Sequence, residues 1–377
     1  MKKDNINIVW LKRDIRSQDH EPLFNAEKSN HKYYIIYIYE PSMIAHPDTG
    51  LRHLMFIYHS ILALNKILAP FNRKVDIFYG EALEVFAFFN NTFNVKSVYS
   101  YQESGTEISW NRDKKIKNFC NLNKIDWQQY QRDGIIRGIR TRKNWRKNWN
   151  IKMSQPPIQN SFSISKNEEL RHSLLIPSKL EKKFQIYPKK FQPPGENNAW
   201  KYLKSFSVKR GENYQKFISK PEQSRISCSR ISPYLSWGNL SIKQTYQFIK
   251  SHPNKTIYSR AFSAMLTRLN WHCHFIQKFE VDCSYELFCI NKGFEFLKHN
   301  KNSTFIKAWK TGKTGYPLID ASMRALKETG WINFRMRAML VSFFTFNLDQ
   351  DWRDGVYHMA KLFLDYEPGI HFTQFQM

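Results

Sequence analysis

The hydrophobic pattern predicts two architectures in succession: an α/β domain with a five-stranded parallel, Rossmann-like sheet over residues 1–130, and an all-α domain over residues 196–377, joined by a connection over residues 131–195. Three observations predict it. Five short apolar runs recur in the first third of the chain, separated by stretches long enough for crossover helices. The connection loses periodicity and gains Pro, Ser and Asn. Beyond Pro194 helical spacing takes over to the end. The strands are expected at residues 6–11, 33–39, 75–79, 97–101 and 126–130. The clearest crossover helix is expected over residues 50–69, with Leu51, Leu54, Met55, Tyr58, Ile61, Leu62 and Leu68 on one buried stripe and Pro70 as its stop. No GxGxxG follows the first strand, so a dehydrogenase-type dinucleotide clasp is unsupported.

At 377 residues the chain can hold two sizeable cores, and 42% hydrophobic with 16% aromatic residues excludes disorder. The longest apolar run, residues 33–39, is too short to span a bilayer, and Met1-Lys2-Lys3-Asp4 opens no signal-peptide core. A cytoplasmic chain with no membrane partner is therefore expected. Five cysteines, odd in number and without a CxxC pair, point to reduced thiols and to no metal site. The net charge of +26 divides into +3 for residues 1–130 and +23 for the remainder. That second part attracts polyanions, although a scattered basic surface needs no partner.

In the connection, Arg137, Arg140, Arg142, Lys143, Arg146 and Lys147 interleave with Trp145 and Trp149. The two Trp could stack on bases or pack beneath the sheet domain; their spacing of four favours a buried helix face. Gly312-Lys313-Thr314 imitates the end of a phosphate-binding P-loop, but that motif needs a glycine at the position of Lys307, so a glycine turn is the better reading.

The remaining motifs follow one another in a specific order: Cys228-Ser229-Arg230-Ile231-Ser232-Pro233-Tyr234-Leu235, then Trp309, the turn at Gly312, Asp320, Gly330, Trp331, Arg335 and Arg337, Asp351-Trp352-Arg353 and Leu364-Asp365-Tyr366-Glu367. This series resembles the flavin-binding half of the photolyase and cryptochrome family, and Val9-Trp10-Leu11-Lys12-Arg13-Asp14 resembles the start of its antenna domain. The resemblance implies FAD as cofactor, a possible second antenna chromophore of unknown identity, and damaged DNA, double- or single-stranded, as partner of a monomer. It implies light-dependent repair of pyrimidine dimers. The alternatives are a blue-light photoreceptor of the cryptochrome type and a degenerate, truncated homologue that binds DNA without repair, because in the family further helices follow the point at which this sequence stops.

Residue by residue, the resemblance assigns Tyr214, Cys228, Ser229, Arg230, Ile231, Ser232, Arg337, Asp365, Tyr366, Glu367 and His371 to the cofactor. A cluster of hydroxyls and one Arg before a helix suits a pyrophosphate, and Arg337 with Asp365 forms the flavin-side ion pair. His371 stands where the family places Asn or Asp at flavin N5, and is expected to titrate near neutrality and to donate to the ring. Arg268, Trp271, His272, Phe275, Phe334 and Arg335 are assigned to DNA, with Trp271 on the damaged base. The family's Thr is here Cys228, its acid is Arg268 and its Arg is His272. Its electron-transfer tryptophans fall on Phe375, Trp352 and His299, so only Trp352 remains and photoreduction by that route is expected to be poor.

Overall fold

The computed structural model describes residues 3–377. Strands β1 (Asn5–Leu11), β2 (Lys32–Tyr39), β3 (Val75–Tyr79), β4 (Asn94–Tyr101) and β5 (Asp126–Tyr130) pair in parallel in the order β3-β2-β1-β4-β5. The register runs Ile8 opposite Tyr34 and Val98, and Ile36 opposite Asp76. Apolar side chains from both faces are buried, Val9 and Ile35 on one and Ile8 and Ile36 on the other, as a parallel sheet covered on two sides requires. The order reverses between β1 and β4, and their carboxyl ends open there into the crevice where doubly wound sheets hold ligands.

The helix expected over residues 50–69 is Leu51–Leu68, followed by a 3₁₀ turn, Ala69–Phe71, that contains Pro70. Its stripe differs from expectation. Leu51 and Leu62 are 41% and 38% exposed, while Phe56, Ile57 and Leu64 are buried. The helix packs both on the sheet domain and on the Ser178–Gln185 and Glu196–Ser205 helices, which rotates and widens the buried face. By length and hydropathy Leu51–Phe71 would also pass as a membrane span, but its apolar face belongs to the main core.

Residues 131–195 are tied down by main-chain bonds. Asp19 N–H donates to Ile158 O, Ser165 N–H to Phe71 O and Tyr79 N–H to Leu174 O. The Trp145–Ser154 helix buries Trp145 and Trp149. They pack as the spacing suggests, yet against Tyr246 and His274 of the helical half rather than beneath the sheet.

The helical half meets the carboxyl end of β1 closely. Ile15 N–H donates to Trp237 O, Asn239 Nδ2 to Ile15 O, and Lys243 pairs with Asp19 at 2.8 Å. Gly238 has φ +74°, and a Cβ there would lie 2.2 Å from Arg13 O, so the approach demands glycine. The GKT segment is a turn: Gly312 (φ +68°) ends the Ser303–Thr311 helix, and Thr314 N–H and Gly315 N–H donate to the Asp320 carboxylate.

Candidate flavin site and nucleic-acid face

The Cys228–Ser232 segment is shaped from beneath by Arg210, on the π-helical turn Phe206–Arg210. Its guanidinium donates to the carbonyls of Ile226 (2.6 Å), Cys228 (2.7 Å), Tyr202 (2.8 Å) and Ser229 (3.2 Å). Arg230 adopts the left-handed conformation, φ +60°, which costs a non-glycine residue energy and marks functional positions. Its guanidinium lies 4.0 Å over Trp331 and touches only the Arg225 carbonyl at 3.4 Å. Its Nε is buried without a partner. Burial, with Arg225 adding to it, pushes its pKa down to about 10. A buried cation with no carboxylate bonded to it is suited to an anion brought from outside.

Across the interior, Arg337 Nη2 meets Asp365 Oδ2 at 2.6 Å, while Arg337 Nε donates to Ile332 O and the guanidinium lies 4.0 Å over Phe363. The pair sits where the sequence placed it. Asp365 Oδ1 remains buried without a partner, and its charge reaches both Arg230 and His272.

Four of the assigned residues have surroundings that the sequence did not show, and one expectation is overturned. His371 does not titrate near neutrality: burial pushes its pKa down to about 4, and its Nε2–H is spent on Val356 O at 2.9 Å, leaving only the Nδ1 lone pair. Tyr366 turns toward the α/β domain, its hydroxyl donating to Asp48 (2.7 Å) and its ring stacked on His53. Glu367 Oε2 is taken up by Arg132 at 3.0 Å and Arg13 at 3.6 Å, so only Oε1, which has no partner, is left for a ligand. His272 was grouped with the DNA-facing residues. Its neighbour Trp271 is 43% exposed, but one residue on, a turn of about 100°, the His272 Nε2 is buried and partnerless amid the charges of Glu367, Asp133, Arg132 and Asp365. Burial holds its pKa below the ordinary range.

The Ser259–Val281 helix also carries Arg268, Trp271 and Phe275. Arg268 lies 4.5 Å from the Trp271 ring and 5.6 Å from that of Phe334, and Phe275 is 6.5 Å from Trp271. Arg335 is exposed. Tyr214 is buried against Phe206 beside Arg268, with burial raising its pKa. Next to this face Arg142 reaches His274 at 3.1 Å, and Arg140, Lys143, Arg146 and Lys147 are exposed in a stretch, residues 134–154, that contains no acid.

A cavity of about 500 Å³ adjoins the ion pair, with Arg337, Phe363, His371, Trp352, Phe334 and Phe375 among its lining residues. Trp352 is buried, its Nε1–H directed at Cys289 Sγ (3.4 Å), and Phe375 lies 5.0 Å from the His371 ring. His299, at the rim, pairs with Asp349. Elsewhere the crevice at the carboxyl ends of the strands is about 120 Å³ and is crossed by Arg112, bonded to Glu40, Glu103 and Asp113.

The partnerless buried atoms, Arg230 Nε, Asp365 Oδ1, Glu367 Oε1 and His272 Nε2, supply donors and acceptors around one interior region, with a free cation at one end. They fit a cofactor that has a phosphate at one end and a polar heterocycle at the other. Sequence reasoning missed the roles of Arg210, Arg13, Arg132 and Asp48, which depend on contacts more than a hundred residues away or on main-chain carbonyls; of these only Arg13 stands in a motif.

Fold and site together define a two-part nucleotide-cofactor protein with a basic, aromatic face. Comparison with known proteins gives the family. Residues 7–144 match the DNA photolyase model, and residues 265–377 match the FAD binding domain of DNA photolyase. The deoxyribodipyrimidine photo-lyase of Buchnera aphidicola from Acyrthosiphon pisum is 26% identical over 95% of this chain and 77% of its own length. A cryptochrome DASH of Synechocystis is 24% identical over 96% and 78%. The solved photolyase of Sulfolobus tokodaii, a structure with two FAD molecules, superposes with TM-score 0.81 at 24% identity, covering 98% of this chain and 82% of that one. The chain belongs to the photolyase and cryptochrome family.

Proposed function

We propose that the protein is a light-dependent DNA repair flavoprotein of the deoxyribodipyrimidine photolyase type, a cytoplasmic monomer acting on damaged DNA. The observation that carries the reading is that the Asp365 of the Arg337–Asp365 pair, with one oxygen unpartnered, acts by charge on both the unpaired Arg230 and the buried Nε2 of His272, the neighbour of exposed Trp271. When bound, reduced FAD supplies, on excitation by blue or near-ultraviolet light, the electron that splits a pyrimidine dimer.

Arg230, with Ser229 and Ser232, would hold the pyrophosphate; no protein carboxylate bonds the Arg230 guanidinium. Arg337 and Asp365 fix the heterocycle edge by presenting one donor and one free acceptor, and neutral His371 offers a second acceptor from Nδ1. On the DNA side Trp271 offers a stacking surface to a flipped base, and Arg268 lies over the ring at 4.5 Å. Arg140, Arg142, Lys143, Arg146 and Lys147 bind flanking phosphates without reading sequence. The place for a second chromophore is the crevice at the strand ends, where Lys12, Arg13 and Arg112 supply cations.

The test is repair of an oligonucleotide with one cyclobutane dimer by FAD-loaded, chemically reduced protein, in light and in darkness. Light-dependent repair that Trp271→Ala lowers strongly supports the reading. Tight FAD and DNA binding with no repair in light would replace it with a photoreceptor role.

A further inference from the structure

The loop that carries Asp365 has no secondary structure of its own, since residues 363–367 lie between two helices. Its main chain is instead held by side chains from distant segments, carbonyl by carbonyl. Leu362 O accepts from Arg52, Phe363 O from His53 Nε2 (2.8 Å), Leu364 O from Trp237 Nε1 (2.7 Å), Asp365 O from Ser236 Oγ (3.0 Å) and Tyr366 O from Arg13 (3.0 Å). Five consecutive acceptors are satisfied, three of them by the α/β domain. Left unpaired, buried carbonyls are costly, so these donors dictate the loop's path.

The His53 rung is well determined. Gly50 N–H donates to His53 Nδ1 (3.2 Å), which leaves the ring proton on Nε2 and directed at Phe363 O. Burial keeps that imidazole neutral, as the rung requires. Arg52 also donates to Leu326 O and Lys327 O, at the end of the helix before Gly330, and Gly330 O in turn accepts from Leu364 N–H. The first turn of the Leu51–Leu68 helix therefore sets both sides of the turn on which Asp365 stands.

We propose that Arg52 and His53 are positioning residues for the cofactor: through the main chain of residues 362–366 they set the Asp365 carboxylate, so that closing the two halves and binding flavin are one linked equilibrium. The linkage is reciprocal, and flavin tightens the seam between the halves as much as the seam tightens flavin. The α/β domain then has a structural role in cofactor retention that is separate from any pigment it holds. This rests on the flavin reading of the site.

The experiment uses the full chain with His53→Leu and Arg52→Met, and with His53→Gln and Arg52→Lys as variants that keep a donor. Hydrogen exchange of the peptide spanning residues 362–370 reports the loop. FAD affinity, the shape of the flavin absorption band and its midpoint potential report the carboxylate. The expected result is faster exchange in that peptide, FAD binding weaker by about tenfold or more, and an altered band and potential, with partial or full recovery in the donor-keeping variants. Wild-type exchange in His53→Leu and Arg52→Met, or a loosened loop with wild-type affinity, band and potential, would overturn the proposal. Wild-type protein that takes up no FAD would overturn the flavin reading and the cofactor half of this proposal with it. The exchange data alone would still decide whether the rungs hold the loop.

Discussion

Asp365→Ala is the substitution whose consequences can be worked furthest. The carboxylate is buried, bonds Arg337 at 2.6 Å and is the acid whose charge reaches Arg230, which has no bonded carboxylate. Its removal strands Arg337, whose side chain is only 15% exposed, and deepens the excess of positive charge. Breaking a buried pair by removing one partner costs about 3–5 kcal/mol. Part of this appears as lost folding stability and part as lost cofactor affinity. If half of it falls on the cofactor, FAD binding weakens by about tenfold to a hundredfold. Asp365→Asn, which keeps the shape and one acceptor, should lose less than Asp365→Ala in both measures. Fluorescence titration of FAD and thermal unfolding with and without FAD separate the two parts. The reasoning is refuted if Asp365→Ala and Arg230→Ala both bind FAD with wild-type affinity and stoichiometry.

Three other outcomes follow from the same geometry. DNA affinity should fall by orders of magnitude between about 50 and 200 mM salt, and the double change Arg142→Ala with Lys143→Ala should flatten the log–log slope by about two without altering sequence preference; a flat wild-type dependence would contradict phosphate contacts. Photoreduction by an external thiol should be slow, because Phe375 and His299 flank Trp352 at the cavity, and Phe375→Trp with His299→Trp should accelerate it while leaving single-turnover repair by pre-reduced protein nearly unchanged. Fast photoreduction of the unaltered protein would implicate another aromatic route, Trp331 or Trp309 first. The histidine contribution to stability should fall on acidification: His53 and His371 are buried and His358 is half-buried, and all three are lowered to about 4 against an ordinary 6.5. The unfolded chain therefore binds more protons between these values, and the contribution, up to about 3 kcal/mol each, is complete above pH 6.5 and lost as pH falls toward 4. His46, held above its ordinary value by Asp48 and Glu286 against burial, works in the opposite sense, as do the carboxyls of Glu280 and Asp76, which burial pushes up to about 7 and about 6. The histidine share is isolated with His371→Gln, whose denaturant midpoint should fall less between pH 7 and 5 than that of the wild type; equal changes would contradict this.

Four of the strands were legible as short apolar runs, buried on both faces in the centre of the sheet, and four of the five begin within a residue of where the pattern placed them; β4 starts earlier, at Asn94, paired with Asn5 at the amino ends of the strands. Gly330 was legible as a helix end and Gly312 as a turn glycine, both by their left-handed conformation; Gly312 also ends a helix. Direction was not legible. Tyr366 and Glu367 follow Asp365 directly, yet Asp48 takes up the Tyr366 hydroxyl, and Arg13 and Arg132, also remote in sequence, take up one oxygen of Glu367. Likewise Trp271 and His272 are neighbours on one helix, and only the packing of the Ser259–Val281 helix decides which meets solvent. The His371 expectation failed because a typical imidazole pKa says nothing of burial or of the Val356 carbonyl.

The most direct test of the central claim is the visible absorption spectrum of the purified protein, taken together with cofactor stoichiometry after denaturation. The account predicts a vibronically resolved flavin band in the blue at one FAD per chain in the helical half, much reduced in Arg230→Ala and Asp365→Ala. Protein that folds, binds DNA in a salt-dependent way and shows no flavin after incubation with FAD would contradict it.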